Sequence, residues 1–199
     1  MTPAPMIRSP RRLERIRGVL ARRQPGLTVV LENIHDPHNV SAILRSCDAV
    51  GVVRAELLYT LEPFPKIGKK SSSSANKWVE RRKHTSVSEC VTTLRREGFA
   101  VLATRLSPGA RPLYDFDLTG RTAFILGNEH RGVSDEAAQE ADALVQIPMM
   151  GMIESLNVSV AAAVCLYEAL RQRRAVGMLD TPQFSDGELQ ELAEAWLRR

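Results

Sequence analysis

Residues able to do chemistry gather in three short segments. In the first, Asn39-Val-Ser-Ala-Ile-Leu-Arg45, the apolar residues Val40, Ile43, Leu44 and Cys47 fall at i, i+3, i+4 and i+7, the stripe of an amphipathic helix. Ser41, Arg45 and Asp48 then share an adjacent face. Arg45 is held off the core, where it can pair with Asp48 or meet an anionic ligand. A guanidinium is permanently charged and rich in donors, which suits an anionic group and makes it a poor general base unless strongly perturbed; both roles stay open to Arg45. His35 and His38 precede this run, but no other metal-ligating residues cluster with them, which argues against a metal site.

The second segment is Ile125-Leu-Gly-Asn-Glu-His-Arg-Gly-Val-Ser134. Its glycines superficially suggest a phosphate loop, yet Val133 stands where the lysine of such a loop is needed. What remains is an apolar run ending in Gly127, which lets backbone approach a ligand closely. Glu129 follows, a carboxylate able to hold a hydroxyl or a cation, or to serve the dipole of the helix behind it. No GxGxxG sequence occurs, which counts against a dinucleotide site. The third segment is Ile147-Pro-Met-Met-Gly-Met-Ile-Glu-Ser-Leu-Asn-Val-Ser159. Ser155 reads as the N-cap of a helix, which leaves Asn157 inside it and in need of a polar partner. Met149, Met150 and Met152 suit an apolar ligand pocket and equally a gap-filling role in the core.

These segments need elements to position them. Residues 10–23 read as a basic amphipathic helix closed by Gln24-Pro25-Gly26. Strands are expected at Leu27–Ile34, Val52–Tyr59, Phe99–Arg105, Arg121–Asn128 and Ala143–Pro148. Helices are expected at Asn39–Val50, 86–97, Ser134–Ala141, Ser155–Val176 and 185–197, and a long irregular loop over 61–77. The strands are near-continuous apolar runs alternating with helices. That is the pattern of an α/β fold, a mostly parallel sheet covered on both faces. Ligands of such sheets bind beyond the carboxyl ends of the strands, where all three segments fall.

The net charge is +4, unevenly spread. Residues 1–25 hold seven arginines against one glutamate, residues 66–84 hold seven Lys/Arg against one glutamate, and the remainder is acidic. Two concentrated basic patches suit a polyanion such as nucleic acid; solvated helix faces are the plainer reading. An Arg-rich N-terminus also resembles an organellar transit peptide, but Leu13, Ile16 and Leu20 recur at the spacing of a docked helix. Cys47, Cys90 and Cys165 show no metal spacing and read as reduced thiols in a cytoplasmic protein. No run is apolar enough to span a bilayer, and no secretory signal is expected.

Taken together, the three segments resemble the signature motifs of the SpoU/TrmH family of RNA ribose 2′-O-methyltransferases. Asn39–Arg45 looks like its Asn-x-Ser/Gly-Ala-x-x-Arg motif, Ile125–Glu129 like its strand-Gly-x-Glu motif, and Ile147–Ser159 like its Ile-Pro-Met…Ser-Leu-Asn-Val-Ser motif, in register over residues 27–176. Ser46 departs from the threonine of many relatives but keeps the hydroxyl, and His130 and Arg131 lie where the family varies. The resemblance implies a C-terminal deep trefoil knot, which general chain-connection rules would not suggest. It implies a homodimer and S-adenosylmethionine as methyl donor, with Thr104, Gly127, Ile147 and Leu156 lining the cofactor site. Asn39, Arg45, Glu129, Ser155 and Asn157 fall on the polar functional positions, and Arg45 is the residue expected to act on the ribose hydroxyl. Residues 25–176 would be the methyltransferase domain, with helical extensions at 1–24 and 177–199. Those extensions, and Asn76-Lys77-Trp78-Val79, resemble family members that methylate guanosine 18 in the D-loop of tRNA, which makes Arg15 and Arg23 expected tRNA contacts. Alternatives are the same transfer to ribosomal RNA or another tRNA nucleotide, an RNA-binding protein without catalysis, and an unrelated α/β nucleotide-binding enzyme.

Overall fold

The computed structural model describes residues 10–66 and 75–199. Seven strands among them form one sheet: β1 (Leu27–Glu32), β2 (Arg54–Leu58), β3 (Glu80–His84), β4 (Ala100–Thr104), β5 (Arg111–Pro112), β6 (Thr122–Leu126) and β7 (Ala143–Gln146). Their order is β3-β2-β1-β6-β4-β7-β5, and every pairing is parallel. The helices are α1 (Pro10–Leu20), α2 (Pro37–Val50), α3 (Val87–Arg96), α4 (Asp135–Glu140), α5 (Val158–Ala175) and α6 (Asp186–Leu197). No helix among the described residues is long and apolar enough to cross a membrane.

Two cores explain why the central strands are apolar throughout. β1 sends Leu27, Val29 and Leu31 to one face, against Val40, Ile43, Leu44 and Cys47 of α2 and Cys165 and Leu166 of α5. Val30 points to the other face, where Val87, Val91 and Leu94 of α3 and Ala137 of α4 pack. Alternation of side chains continues, but both faces are covered, so no polar period appears in the sequence. A third cluster joins Ile16 and Leu20 of α1 to Ala193 and Trp196 of α6, with Trp78 beside them. The two terminal helices therefore share a core of their own.

Some boundaries differ from expectation for local reasons. Helix α1 stops at Leu20, not residue 23, because the Gln24 N–H donates to the Gly51 carbonyl (2.7 Å) and draws the chain toward Val52. Helix α2 starts at Pro37, with Asp36 as N-cap accepting from the His38 N–H, so Asn39 lies inside the helix. Helix α5 starts at Val158: its N-cap is Asn157, not Ser155. Of the expected 61–77 loop, residues 67–74 lie outside the described residues, and Ala75–Lys77 is a short 3-10 turn.

Strand β3 was not expected from the sequence Glu-Arg-Arg-Lys-His. It is an edge strand whose charges have partners. Glu56 of β2 has a fully buried side chain, and Arg54, Arg82 and His84 all reach it at 2.7–3.1 Å. Burial raises its carboxyl pKa, but the bonds from His84, Arg82 and Arg54 override that and hold it at about 2. The short strand β5 was also unanticipated.

Candidate active site

The strand exits are laced by two asparagines. Asn33, just after β1, has φ 49°, the left-handed region that Asn tolerates better than most residues. Its Oδ1 accepts from the backbone N–H groups of Thr60 (3.0 Å) and Leu61 (3.1 Å), and its carbonyl accepts from Asn128 Nδ2 (2.7 Å). Asn128 Oδ1 in turn accepts from the N–H groups of His130 (3.0 Å) and Arg131 (3.3 Å). The β6–α4 turn is thereby folded so that Glu129 meets the start of α2.

Glu129 is a fastener. Its Oε2 accepts from the His35 N–H (3.0 Å), and its Oε1 from the Asp36 N–H (3.1 Å) and Asn39 Nδ2 (2.8 Å). Its donors lie at the start of α2, and α4, the helix whose dipole was one of the roles open to it, is capped by Ser134 instead. Partial burial raises its pKa, but the Asn39 amide and the backbone donors more than offset this and keep it below the ordinary carboxylate value. Asn39 Oδ1 accepts from Asn157 Nδ2 (3.0 Å), and Asn157 Oδ1 accepts from the Ser159 N–H (2.8 Å) and hydroxyl (2.6 Å). One continuous chain of bonds, Glu129–Asn39–Asn157, joins the three sequence segments across separations of 90 and 118 residues. Asn39 is the polar partner that Asn157 was expected to need.

Arg45 stands on α2 exposed and, among the described residues, without a hydrogen bond or ion pair. The Asp48 pairing open to it is not made, because Asp48 binds Arg23. Ser155 is exposed and caps nothing. His35 Nδ1 lies 3.2 Å from Glu62, and Arg131 donates to the same carboxylate (2.7 Å). This brace joins the turns on either side of Glu129. Its members lie 27 and 69 residues apart, so no sequence pattern announces it.

Thr104, Gly127 and Ile147 mark the exits of β4, β6 and β7, which are neighbours in the sheet. Thr104 aligns with Val145 of β7, and its hydroxyl donates to the Ile125 carbonyl of β6 (2.9 Å). Ile147 and Leu156 are half-buried. Uncharged backbone and aliphatic side chains of this kind fit an adenosyl group. Gly127 has a further constraint: a Cβ there would lie 2.1 Å from the Gly132 carbonyl carbon and the Val133 nitrogen. The close approach that requires glycine comes from the protein's own turn. Met150 and Met152 are almost fully exposed, so they do not fill the core. Among the described residues, no three His, Cys, Asp or Glu side chains gather as a metal site. Cys47, Cys90 and Cys165 are buried and unpaired, and burial pushes each thiol up to about 12.

The two arginines expected to touch tRNA are separated. Arg15 is exposed and lines a cavity of about 540 Å³ between α1 and α6, with Arg12, Lys77, Trp78 and Arg199. Arg23 is only 2% exposed. Its guanidinium is bound to Asp48 and to the Val52 carbonyl (2.9 Å), and lies 4.9 Å over the Trp196 ring. The sequence places both on one basic stretch; the end of α1 at Leu20 turns Arg23 inward.

Comparisons with known proteins agree with this arrangement. The SpoU rRNA Methylase family matches residues 26–167. The chain is 47% identical over 192 residues to a tRNA (guanosine(18)-2′-O)-methyltransferase of Thermus thermophilus, covering 96% of this chain and 98% of that one. It superposes on the crystal structure of the A. aeolicus TrmH/SpoU tRNA modifying enzyme with a TM-score of 0.89 at 39% identity, covering 94% of this chain and 95% of that one. The SpoU methyltransferase AviRb from Streptomyces viridochromogenes, solved with the cofactor AdoMet, gives 0.67 at 29% identity, over 87% of this chain and 66% of that one. With all three motifs meeting at one edge of the sheet and the family matched over most of its length, the chain belongs to the SpoU methylase family.

Proposed function

We propose that this protein transfers the methyl group of S-adenosylmethionine to the ribose 2′-hydroxyl of guanosine 18 in the D-loop of tRNA, in the cytoplasm. The observation that carries the chemistry is the Glu129–Asn39–Asn157 chain, which fixes the start of α2 and leaves Arg45 on that helix without a partner among the described residues. The observation that favours tRNA is the reach of the likeness. The family match ends at residue 167, whereas the match to the Thermus tRNA enzyme takes in 96% of the chain, including α1 and α6. In this reading residues 25–176 carry the chemistry, while the extensions 1–24 and 177–199 hold RNA through the cavity that Arg15 lines. The family's knot and homodimer are part of the same proposal.

The cofactor supplies an activated sulfonium methyl when bound. Thr104, Gly127, Ile147 and Leu156 would hold it at the exits of β4, β6 and β7. The protein's own task is to place a hydroxyl in line and manage one proton; positioning of this kind supplies up to about 7–11 kcal/mol. Glu129 is occupied by three donors and serves to orient. Arg45, always charged, holds substrate phosphate and stabilises the developing alkoxide, and the proton passes to a phosphate oxygen or water.

The test incubates wild type and Arg45→Ala with labelled S-adenosylmethionine and unmodified tRNA, then maps the label. Label on the ribose of guanosine 18, falling by about 10²–10³-fold in the variant, is the expected result. Label on another tRNA nucleotide, or transfer only when ribosomal RNA is supplied in place of tRNA, would move the substrate, and RNA binding without transfer to either would remove the enzymatic reading.

A further inference from the structure

Helix α2 carries Arg45 and Asp48 three residues apart, a spacing that pairs opposite charges on a helix. The pairing is not made. Asp48 is taken from the other side by Arg23, which leaves the C-terminal end of α1 and is buried between α2 and Trp196 of α6. Arg23 spends one terminal nitrogen on Asp48 and the other on the Val52 carbonyl (2.9 Å), while its Nε has no partner among the described residues. Burying a guanidinium with one donor unmet is an expensive way to fill space, since an apolar side chain of similar volume often serves stability as well or better. The charge itself therefore calls for an explanation.

We propose that Arg23 is a positioning residue for methyl transfer: it neutralises and holds Asp48, so that Arg45 stays unpaired and faces the RNA. The proposal rests on the role given to Arg45 above. Without Arg23, the Asp48 carboxylate, 35% exposed, has Arg45 within helical reach of ~5–6 Å. An unneutralised carboxylate at that distance competes for the guanidinium and repels a substrate phosphate. Across effective dielectric constants of about 20 to 80, one such charge at ~6 Å is worth about 3- to 100-fold in rate. Arg12, Arg15, Lys77 and Arg199 line the same cavity as Asp48 and dilute its charge, so a loss on the order of tenfold is expected. The separation also links the docking of the terminal helices to the chemistry, because Trp196 of α6 covers the guanidinium that holds Asp48.

The experiment is a double-mutant cycle on the full-length protein with Arg23→Gln, Asp48→Asn and the double variant, reading kcat/KM for tRNA, the Kd of S-adenosylmethionine and Tm. Arg23→Gln should lose about tenfold in kcat/KM with cofactor affinity unchanged, whereas the same substitution made in the Asp48→Asn background should cost less than about threefold, so that the double variant relieves most of the loss. A purely structural Arg23 would lower Tm and show no rescue by Asp48→Asn. Wild-type turnover in Arg23→Gln, or a loss that the double variant does not relieve, overturns the proposal. If Arg23→Gln does not fold, Arg23→Lys retains the charge and should keep kcat/KM within about threefold; a larger loss unrelieved by Asp48→Asn has the same consequence. A wild type that transfers no methyl to tRNA counts against the proposed function and leaves a recognisably different result.

Discussion

Gly127→Ala tests whether the turn after β6 is built on backbone contact. The added Cβ would stand 2.1 Å from both the Gly132 carbonyl carbon and the Val133 nitrogen, and 2.2 Å from the Gly132 oxygen. Carbon–carbon contact settles near 3.5 Å, so the facing backbone must retreat by about 1.4 Å. It is poorly placed to do so. The Gly132 N–H is tied to the Asn128 carbonyl (2.8 Å), the Ser134 N–H to Glu32 (3.0 Å), and the Val133 side chain is buried in the second core. Overpacking of this kind costs about 1–3 kcal/mol, which at about 2–4 °C per kcal/mol lowers Tm by about 2–12 °C. Because Glu129 lies within the displaced turn, its bond to Asn39 should weaken as well, and methyl transfer should fall together with stability. Thermal melts with and without S-adenosylmethionine, alongside transfer assays, read both. A variant that melts like wild type and loses only cofactor affinity would refute the reasoning and return Gly127 to a ligand-clearance role.

Strong acid should dismantle the Glu56 cluster. Its folded pKa of about 2 lies below the ordinary 4.5, so its stabilisation is complete above pH 4.5 and lost as pH falls toward 2; the shift corresponds to about 3 kcal/mol. Glu56→Gln should lower stability at pH 7 and flatten the acid limb of a denaturation-versus-pH curve, and an unchanged limb would show that the cluster contributes little. The exposed Met150, Met152, Ile153, Val160 and Tyr167 form apolar surface on and before α5 that fits the proposed homodimer. Sedimentation at micromolar concentration should give twice the monomer mass, and a single monomeric species would remove the dimer from the reading.

The sequence exposes its buried strands and its helix stripes because each element is apolar in its own period. The motif residues were legible for the same reason: Asn39, Arg45, Glu129 and Asn157 stand out as polar groups at the ends of apolar runs. What they do there was less legible. Glu129 holds the chain at the start of α2 from about ninety residues away, and Asn157, which caps α5 locally through Ser159, is itself held by Asn39 118 residues away. β3 stayed hidden because an edge strand paired on one side, with side chains meeting a buried carboxylate, has no apolar period. The inward turn of Arg23 follows from the Gln24–Gly51 bond, which no local pattern records.

The two ends of the sheet bear on how the chain survives at high concentration. An open parallel sheet ends in unpaired N–H and C=O groups that can recruit strands from other copies. Among the described residues one end is β3, which shows Glu80, Arg81 and Lys83 to solvent. The other is β5, only two residues long and one of them a proline. A second chain adding at either end would have to cover a row of charged side chains or pair with a residue that has no N–H to give. Replacing Arg81 and Lys83 with valine, while keeping Glu80 for its bond to Arg199 (3.2 Å), would leave the Arg15 cavity intact and convert a charged edge into a seed for aggregation.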